Sequence, residues 1–551
     1  MKNKFSLIKL DFLVGFMILL VFSLSARAQT LTVADVQTVI AQAVSTAVSL
    51  NQKVTVSVVD REGHLLGTFV MTGAPGAPVN TLIRSVGRAG QGLENVAVPS
   101  TAASYSKAGT AGILSANGNA FTTRTASFII QEHFPTGIDN TPGGPLYGVQ
   151  FSTLACSDIA IAGLPLGLSG DPGGMPLYKN GVAVGGVGIE GDGLYTIDRD
   201  PRDDDQTFEE IIAVAATRGY EAPALIRADN ILVAGIRLPF SNLAAAPVVA
   251  TTPFGSLPGI TTSPVIATPP SDFVPAVLNG VNGQFSSRFP IIAGSALTAA
   301  EVTQILGAAA EIANRTRAGI RQPIGSNARV TMTVVDTDGK VLGIFRQLDA
   351  PVFGLDVAVQ KARTVNFFSR SDAGTKLTTA GFGSYVVRAN TDGLALTGNI
   401  AFSDRGFGFL HRPLFPDGIN DTQGGPFSTP LVDWSPFNDG LQLDLVKTAL
   451  TTVCGPRRGN GRGARVAAPC PCTAIAELKN GIQIFAGAVP LYRGSTLIGA
   501  IGVSGDGIEQ DDLIAAGGAN LFPPPDAVRS DKFFVRGVRL PFLKFPPRPF
   551  L

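Results

Sequence analysis

The sequence predicts an α+β protein built as a tandem duplication, on three observations. Residues 54–69, VTVSVVDREGHLLGTF, and residues 330–345, VTMTVVDTDGKVLGIF, are identical at nine of sixteen positions. A segment of helical periodicity precedes each copy. A second paired, glycine-rich block follows each, and an acidic helix start follows that. Strand pairs and amphipathic helices repeated in one order describe two mixed domains.

The chain opens on a basic start (Lys2, Lys4, Lys9), thirteen apolar residues over 12–24, and Ala26-Arg27-Ala28, a small-x-small cleavage site. Thirteen residues fall short of the roughly 20 that span a bilayer. Residues 1–28 therefore read as a signal peptide, and the mature chain as periplasmic or secreted with no transmembrane anchor.

Repeat one begins with Thr32, Val36, Val39, Ile40, Ala43 and Ala47, and repeat two with Thr298, Val302, Ile305, Leu306, Ala309 and Ala313. Both have the i, i+3, i+4, i+7 spacing of a one-faced helix. Thr298 with Glu301 predicts a capping box, and Thr32 with Asp35 its weaker form. The duplicated stretch then alternates apolar residues into a D-x-x-G turn, the mark of a hairpin. Small-residue helical segments follow at 104–114 and 358–368, matched at Lys107-Ala108-Gly109-Thr110 and Lys361-Ala362-Arg363-Thr364. The Phe-Pro-x-Gly-Ile motifs at 134–138 and 415–419 predict ordered loops. A further hairpin with a glycine-rich exit is predicted at 176–193 and at 490–507, followed by acidic helix starts near 203–215 and 509–516. Each repeat closes on G-[IV]-R-L-P-F, at 235–240 and 537–542.

Between the repeats, 241–294 holds eight prolines and only two charged residues, Asp272 and Arg288, and reads as a semi-rigid linker. Within it, Phe273, Val274, Val277 and Leu278 are suited to packing on a domain. The predicted domains are 29–240 and 295–542, with a tail at 543–551.

Net charge is +1. Removing 1–28 takes away four cations and one anion and leaves the chain near neutral. No basic face for nucleic acid is indicated.

Taken together, the helix, the V-x-V-V-D-x-x-G-x-L hairpin, the K-A-R-T helix, the hairpin from Val489-Pro490-Leu491-Tyr492 to Gly499–Gly505, and the acidic helix resemble the GlcG/HbpS-like haem-binding family. The corrinoid-binding C-terminal domain of PduO-type proteins is similar. The resemblance covers 297–368 and 486–517 in repeat two, and 31–75, 104–115 and 174–216 in repeat one. It implies an antiparallel sheet of about five strands per domain with helices on its faces, a profilin-like α/β/α layering. It also implies two domains packed as an internal pseudo-dimer that can self-associate further, and a haem or other tetrapyrrole as the small-molecule partner. In the family the threonine after K-A-R is associated with the haem iron, which points to Thr364 and Thr110, beside Lys361 and Lys107. Arg363 suits a propionate, and repeat one has Gly109 instead. Met71 corresponds to a family methionine, with Gln347 in its place in repeat two. The alternative for both threonines is a helix hydroxyl bonding its own backbone.

Other constellations carry less. His64 aligns with Lys340 and is not a shared ligand, while His133 and His411 fall at different places relative to the Phe-Pro motifs and read as solvated loop histidines, with haem ligation the alternative. Asp198, Asp200, Asp203, Asp204 and Asp205 read as a solvated turn without EF-hand spacing. Arg457, Arg458, Arg462 and Arg465 read as a basic loop. No Ser-His-Asp set recurs in both repeats, so binding leads, with a haem-degrading or redox enzyme and a ligand-free interaction protein as alternatives. Cys470 and Cys472 are one residue apart and cannot readily bond each other. Cys454 is expected to bond one of them, with Cys156 either a buried thiol, the favoured reading, or the partner of the leftover cysteine across the domains.

Overall fold

The computed structural model describes residues 29–74, 81–85, 90–200, 203–245, 247–451 and 471–551. The signal-like segment, Cys454, Cys470 and the four arginines of the basic loop lie outside the described residues.

Repeat one starts with helix α1 (Val33–Ser49), whose Thr32 and Asp35 form a full capping box. The hairpin β1 (Thr55–Asp60) and β2 (Leu65–Met71) follows, then α2 (Ser100–Leu114). Strands β3 (Gly174–Lys179) and β4 (Val182–Glu190) form the second hairpin, and α3 (Phe208–Ala216) comes after it. The predicted linker supplies β5 (Gly259–Ser263), β6 (Phe273–Leu278) and β7 (Val281–Ser286). Repeat two then runs α4 (Ala299–Arg315), β8 (Val330–Val335), β9 (Val341–Gln347), α5 (Gly354–Phe368), β10 (Ala488–Arg493), β11 (Thr496–Gly505) and α6 (Ile508–Ala519).

The strands form an α+β architecture with two main sheets, ordered β5-β2-β1-β4-β3 and β6-β7-β9-β8-β11-β10. Their four-strand cores correspond strand for strand. Val56 lies opposite Phe69 and Ile189, as Met332 lies opposite Phe345 and Val503. Register shifts recur at Val58/Val59 and Val334/Val335, and at Leu177/Tyr178 and Leu491/Tyr492. The 241–294 segment is thus more than a spacer: it adds an edge strand to sheet one and the outer hairpin to sheet two. Its proline content does not forbid this. Pro275 lies on the outermost strand, where a missing N–H breaks no inner ladder.

Pleat alternation decides which face meets which helix. Val54, Val56 and Val58 pack with α1 and with Ile212, Ala213 and Ala216 of α3. Thr55 and Ser57 face the other way and hydrogen-bond Ser100 and Ser104 of α2 at 2.9 and 2.8 Å. The glycines of the second hairpin let that helix approach. A Cβ on Gly188 would lie 2.1 Å from the Ser104 carbonyl oxygen, and one on Gly502 2.0 Å from that of Ala358.

Residues 31–551 form one compact unit, and its largest apolar cluster draws on both repeats. Phe121, Phe128, Tyr147 and Phe151 join Phe368, Phe407, Phe427 and Trp434. The Trp434 indole stacks on Tyr147 with centroids 5.9 Å apart, and its Nε1 donates to the Tyr147 hydroxyl at 2.7 Å. The two Phe-Pro loops meet about a local pseudo-dyad. The Asn140 N–H donates to Asn420 Oδ1 at 3.0 Å, and the Asn420 N–H to Asn140 Oδ1 at 3.1 Å.

A disulfide crosses the same seam, between Cys156 and Cys472, residues 316 positions apart. This corrects the favoured reading of Cys156 as a free thiol and matches the alternative, a bond across the domains to a cysteine of the 470–472 pair. The long loops of the two repeats are interleaved, so cysteines distant in sequence become neighbours. Cys156→Ser should therefore loosen the seam. The chain-entropy model puts the loss for so long a loop near the top of its range, about 5 kcal/mol. Chemical denaturation with and without reductant checks this; an unchanged midpoint would rule out a stabilising role.

Candidate functional site

The six residues that the family resemblance nominates are all buried. Thr110 donates to the Ser106 carbonyl at 2.7 Å and accepts from the Ser169 N–H at 2.7 Å. Thr364 donates to the Gln360 carbonyl at 2.7 Å and accepts from the Gln483 N–H at 2.9 Å. Each hydroxyl thus bonds back to its own helix and also holds a neighbouring loop. Arg363 clasps Asp158 of repeat one with two bonds of 2.8 Å and donates to Gly339 O at 2.9 Å and Asn480 Oδ1 at 2.5 Å. It acts as a strut between repeats. Met71 lies apart from these, at the end of β2 opposite Gly259 in the repeat-one core.

Lys107 and Lys361 anchor two related clusters. The Lys107 ammonium touches Asp171 at 2.7 Å, Glu190 at 3.1 Å and Glu209 at 2.6 Å, all buried. Burial pulls the lysine down, but the three acids outweigh it and hold its pKa well above the usual lysine value. Burial, with mutual repulsion, pushes Asp171 and Glu209 well up and Glu190 up, because one cation cannot neutralise three anions. In repeat two, Lys361 meets Asp511 at 2.9 Å and the Val503 carbonyl at 2.9 Å, and sits 4.5 Å from the Phe485 ring centroid. Phe485 stands where repeat one has Asp171, three residues before the paired positions Gly174 and Ala488. Ser504 stands where repeat one has Glu190. Burial raises Asp511 to about 7, against the pull of Lys361.

Beside each lysine lies a second pair that the sequence did not single out. Arg124 Nε donates to Glu210 at 2.8 Å, and Arg405 Nε to Asp512 at 2.5 Å. The signal was present in F-[ST]-x-R-x-x-x-F, at 121–128 and 402–409. Arg124 also binds Asp198 at 2.5 Å and Asp205 at 2.8 Å, so the acidic loop serves a buried arginine. Among the described residues of repeat two no such loop covers Arg405, and its Nη2 is buried there without a hydrogen bond.

That difference opens a cleft of about 580 Å³ over repeat two. Phe409, Phe485, Phe542 and Phe545 supply apolar walls, and Arg405, Arg412, Arg529, Arg539 and Lys544 supply cations. Ile508, the first residue of α6, also lines it. Arg529 is tied to Asp531 at 2.8 Å, and Lys544 to Glu509 at 2.5 Å. Arg412 Nη1 is buried without a partner, and the Arg539 side chain meets no acid among the described residues. The arrangement suits a flat apolar body bearing anionic groups.

The histidines differ from expectation. His64 pairs with Asp60 at 2.9 Å. His133 and His411 are buried, not solvated, because the loops carrying them are packed into the seam. Burial lowers His411 to about 3, so it is neutral, and its Nε2 has no hydrogen-bond partner among the described residues.

The lysine clusters generate a stability test. Lys107→Met leaves three buried acids without their cation and should cost about 3–5 kcal/mol. Acids whose folded pKa lies above the unfolded value favour folding at low pH, and that contribution is lost as pH rises through the folded pKa. Removing the ammonium steepens this loss. Urea midpoints measured between about pH 5 and about pH 8 should therefore fall faster in the variant than in the wild type. Parallel curves would show that the cluster does not behave as a charge-compensated unit.

No curated protein matches the chain. Among solved structures, a PduOC:heme complex is 21% identical, covers 35% of this chain and 95% of its own, and has a TM-score of 0.22. Klebsiella pneumoniae protein ORFY is 23% identical over 36% of this chain and 94% of its own, with a TM-score of 0.21. Residues 457–520, which include β10, β11, all of α6 and the cleft residues Phe485 and Ile508, match the family described as haem degrading protein HbpS-like.

Proposed function

We propose that the protein binds a tetrapyrrole in the cleft over repeat two and serves to store, sense or handle it outside the cytoplasm. The observation that carries this reading is the pairing of phenylalanine walls with a rim of arginines, two of which keep buried, unpaired N–H groups. Haem is flat and apolar with two carboxylates, and these residues match that chemistry. The family match over 457–520 supports the same class of ligand. Among the cleft's lining residues there is no histidine, cysteine or methionine to meet an iron. The described side chains would hold the ring and its carboxylates, and the iron supplies whatever redox chemistry the bound group has. Lys361 and Thr364 would act from behind, Lys361 by backing Phe485 and Thr364 by fixing the Gln483 loop. Export is supported by the signal-like segment and by a disulfide, which belongs to an oxidising compartment. A second reading, degradation of the bound haem, rests on the description of the matched family, and product analysis after adding reductant separates it from binding.

Titration of the full chain with haem should give one equivalent per chain, since repeat one fills the matching place with Asp171 and the acidic loop. Metal-free protoporphyrin should bind comparably. Arg539→Gln should weaken both by about tenfold, the loss of one charge-assisted bond. Thr364→Val should leave affinity unchanged while lowering stability by about 1–3 kcal/mol, because the Gln483 N–H loses its acceptor. No spectral change with either ligand, or binding abolished by Thr364→Val alone, would reject the cleft.

A further inference from the structure

A second cavity, of about 560 Å³, opens where the repeats meet. It is bounded by Asn117 and Gly118 of repeat one, Asn282 of β7, Asn314 of α4, and Arg321 and Arg329. Its walls are mainly carboxamides and guanidiniums, with the Asp349 carboxylate and Val281 and Leu348 beside them, unlike the phenylalanines of the first cleft. The missing side chain of Gly118 shapes it: a Cβ there would lie 2.5 Å from Arg321.

The charges around it do not balance. Arg321 binds Asp506 and Asp349 at 2.6 Å each, and Arg61 takes the other oxygen of Asp349 at 2.5 Å. Arg346, close enough to feel Asp349 and Arg321, is buried and bonds only neutral groups, Gln284 Oε1 at 2.7 Å and the Ala350 carbonyl. Glu62, the other acid acting on Arg346, is held by Ser271 and the Asp272 N–H. The Arg329 backbone N–H donates to Asp506 at 2.9 Å, but among the described residues its guanidinium has neither an ion pair nor a hydrogen bond. Burial and the neighbouring Arg321 pull its pKa down, as expected of a cation lacking its counter-ion. Four guanidiniums thus face three carboxylates. The side-chain amides of Asn282 and Asn314 also carry no other bond among the described residues.

We propose that this cavity binds a small hydroxylated carboxylate, a sugar acid, with the carboxylate on the forked donors of Arg329 and hydroxyls on the Asn282 and Asn314 amides. A guanidinium is suited to bidentate capture of a carboxylate, and free amides offer both donors and acceptors to hydroxyls. The site is separate from the haem cleft, so it stands or falls independently of the tetrapyrrole reading.

Calorimetric titration of the full chain with D-glucuronate, D-glucose, acetate and inorganic phosphate tests it. Glucuronate should bind at one site, with glucose and acetate each at least about tenfold weaker, since each offers only half of the recognised chemistry. Arg329→Gln should lose about tenfold in glucuronate affinity, with partial recovery in Arg329→Lys. Asn282→Ala, on an exposed strand position, should lose a smaller factor without disturbing the fold. Glucuronate binding unchanged in Arg329→Gln, no glucuronate binding, or phosphate binding in preference to glucuronate would each overturn the assignment.

Discussion

The rest of the structure depends on the apolar seam between the repeats. The loops inserted into each half are too long to be covered by their own sheet, and they bury one another instead. Burying irregular backbone requires partners for its polar groups. Amide side chains supply them across the seam: Gln360 donates to Phe151 O at 3.0 Å, Gln442 to Gly148 O at 2.9 Å, and Gln150 to Pro436 O at 3.1 Å. Asp356 accepts from Thr153 N–H and Ser157 Oγ of the other repeat, at 2.6 and 2.5 Å. Neither repeat completes its own hydrogen-bond accounting, so neither is a self-sufficient domain in this arrangement.

Placement of the sites follows from the seam. It holds α2 and α5 so tightly that the nominated threonines and lysines face inward, and the open cavities lie at the margins. The cleft of repeat two opens at one margin, where Phe485 stands in place of Asp171 and, among the described residues, no acidic loop covers the arginine. The polar cavity opens at another, where Gly118 leaves room for Arg321. Both features arise from small exchanges on an unchanged scaffold.

Much of the scaffold was legible in the residues. The hairpins, the capping boxes at Thr32 and Thr298, and the glycine-rich second hairpin each rest on local chemistry that survives packing. The family resemblance pointed to the helix carrying Lys361 and Thr364; the bond from the Thr364 hydroxyl to its own helix was foreseeable, whereas the bond it accepts from the Gln483 N–H is a tertiary contact with no sequence mark. Proline content masked the strands at 259–286, because composition does not distinguish a free spacer from an edge strand that needs few donors. The choice of a cross-domain bond over a free thiol for Cys156 and the burial of His133 and His411 were out of reach for one reason: each depends on which loop of one half lies against which loop of the other. Arg124 and Arg405 were within reach, since their motif keeps constant spacing to the following Phe-Pro loop.

The covalent link between the halves has a genetic consequence. In a dimer of identical chains every substitution appears on both sides of the axis, so a change that opens a site in one half opens it in the other and is charged twice against stability. Here the two halves are written separately. An aspartate could become Phe485 on one side while its counterpart Asp171 remained to neutralise a buried lysine on the other. One half is free to explore new chemistry while the other preserves the architecture that both need.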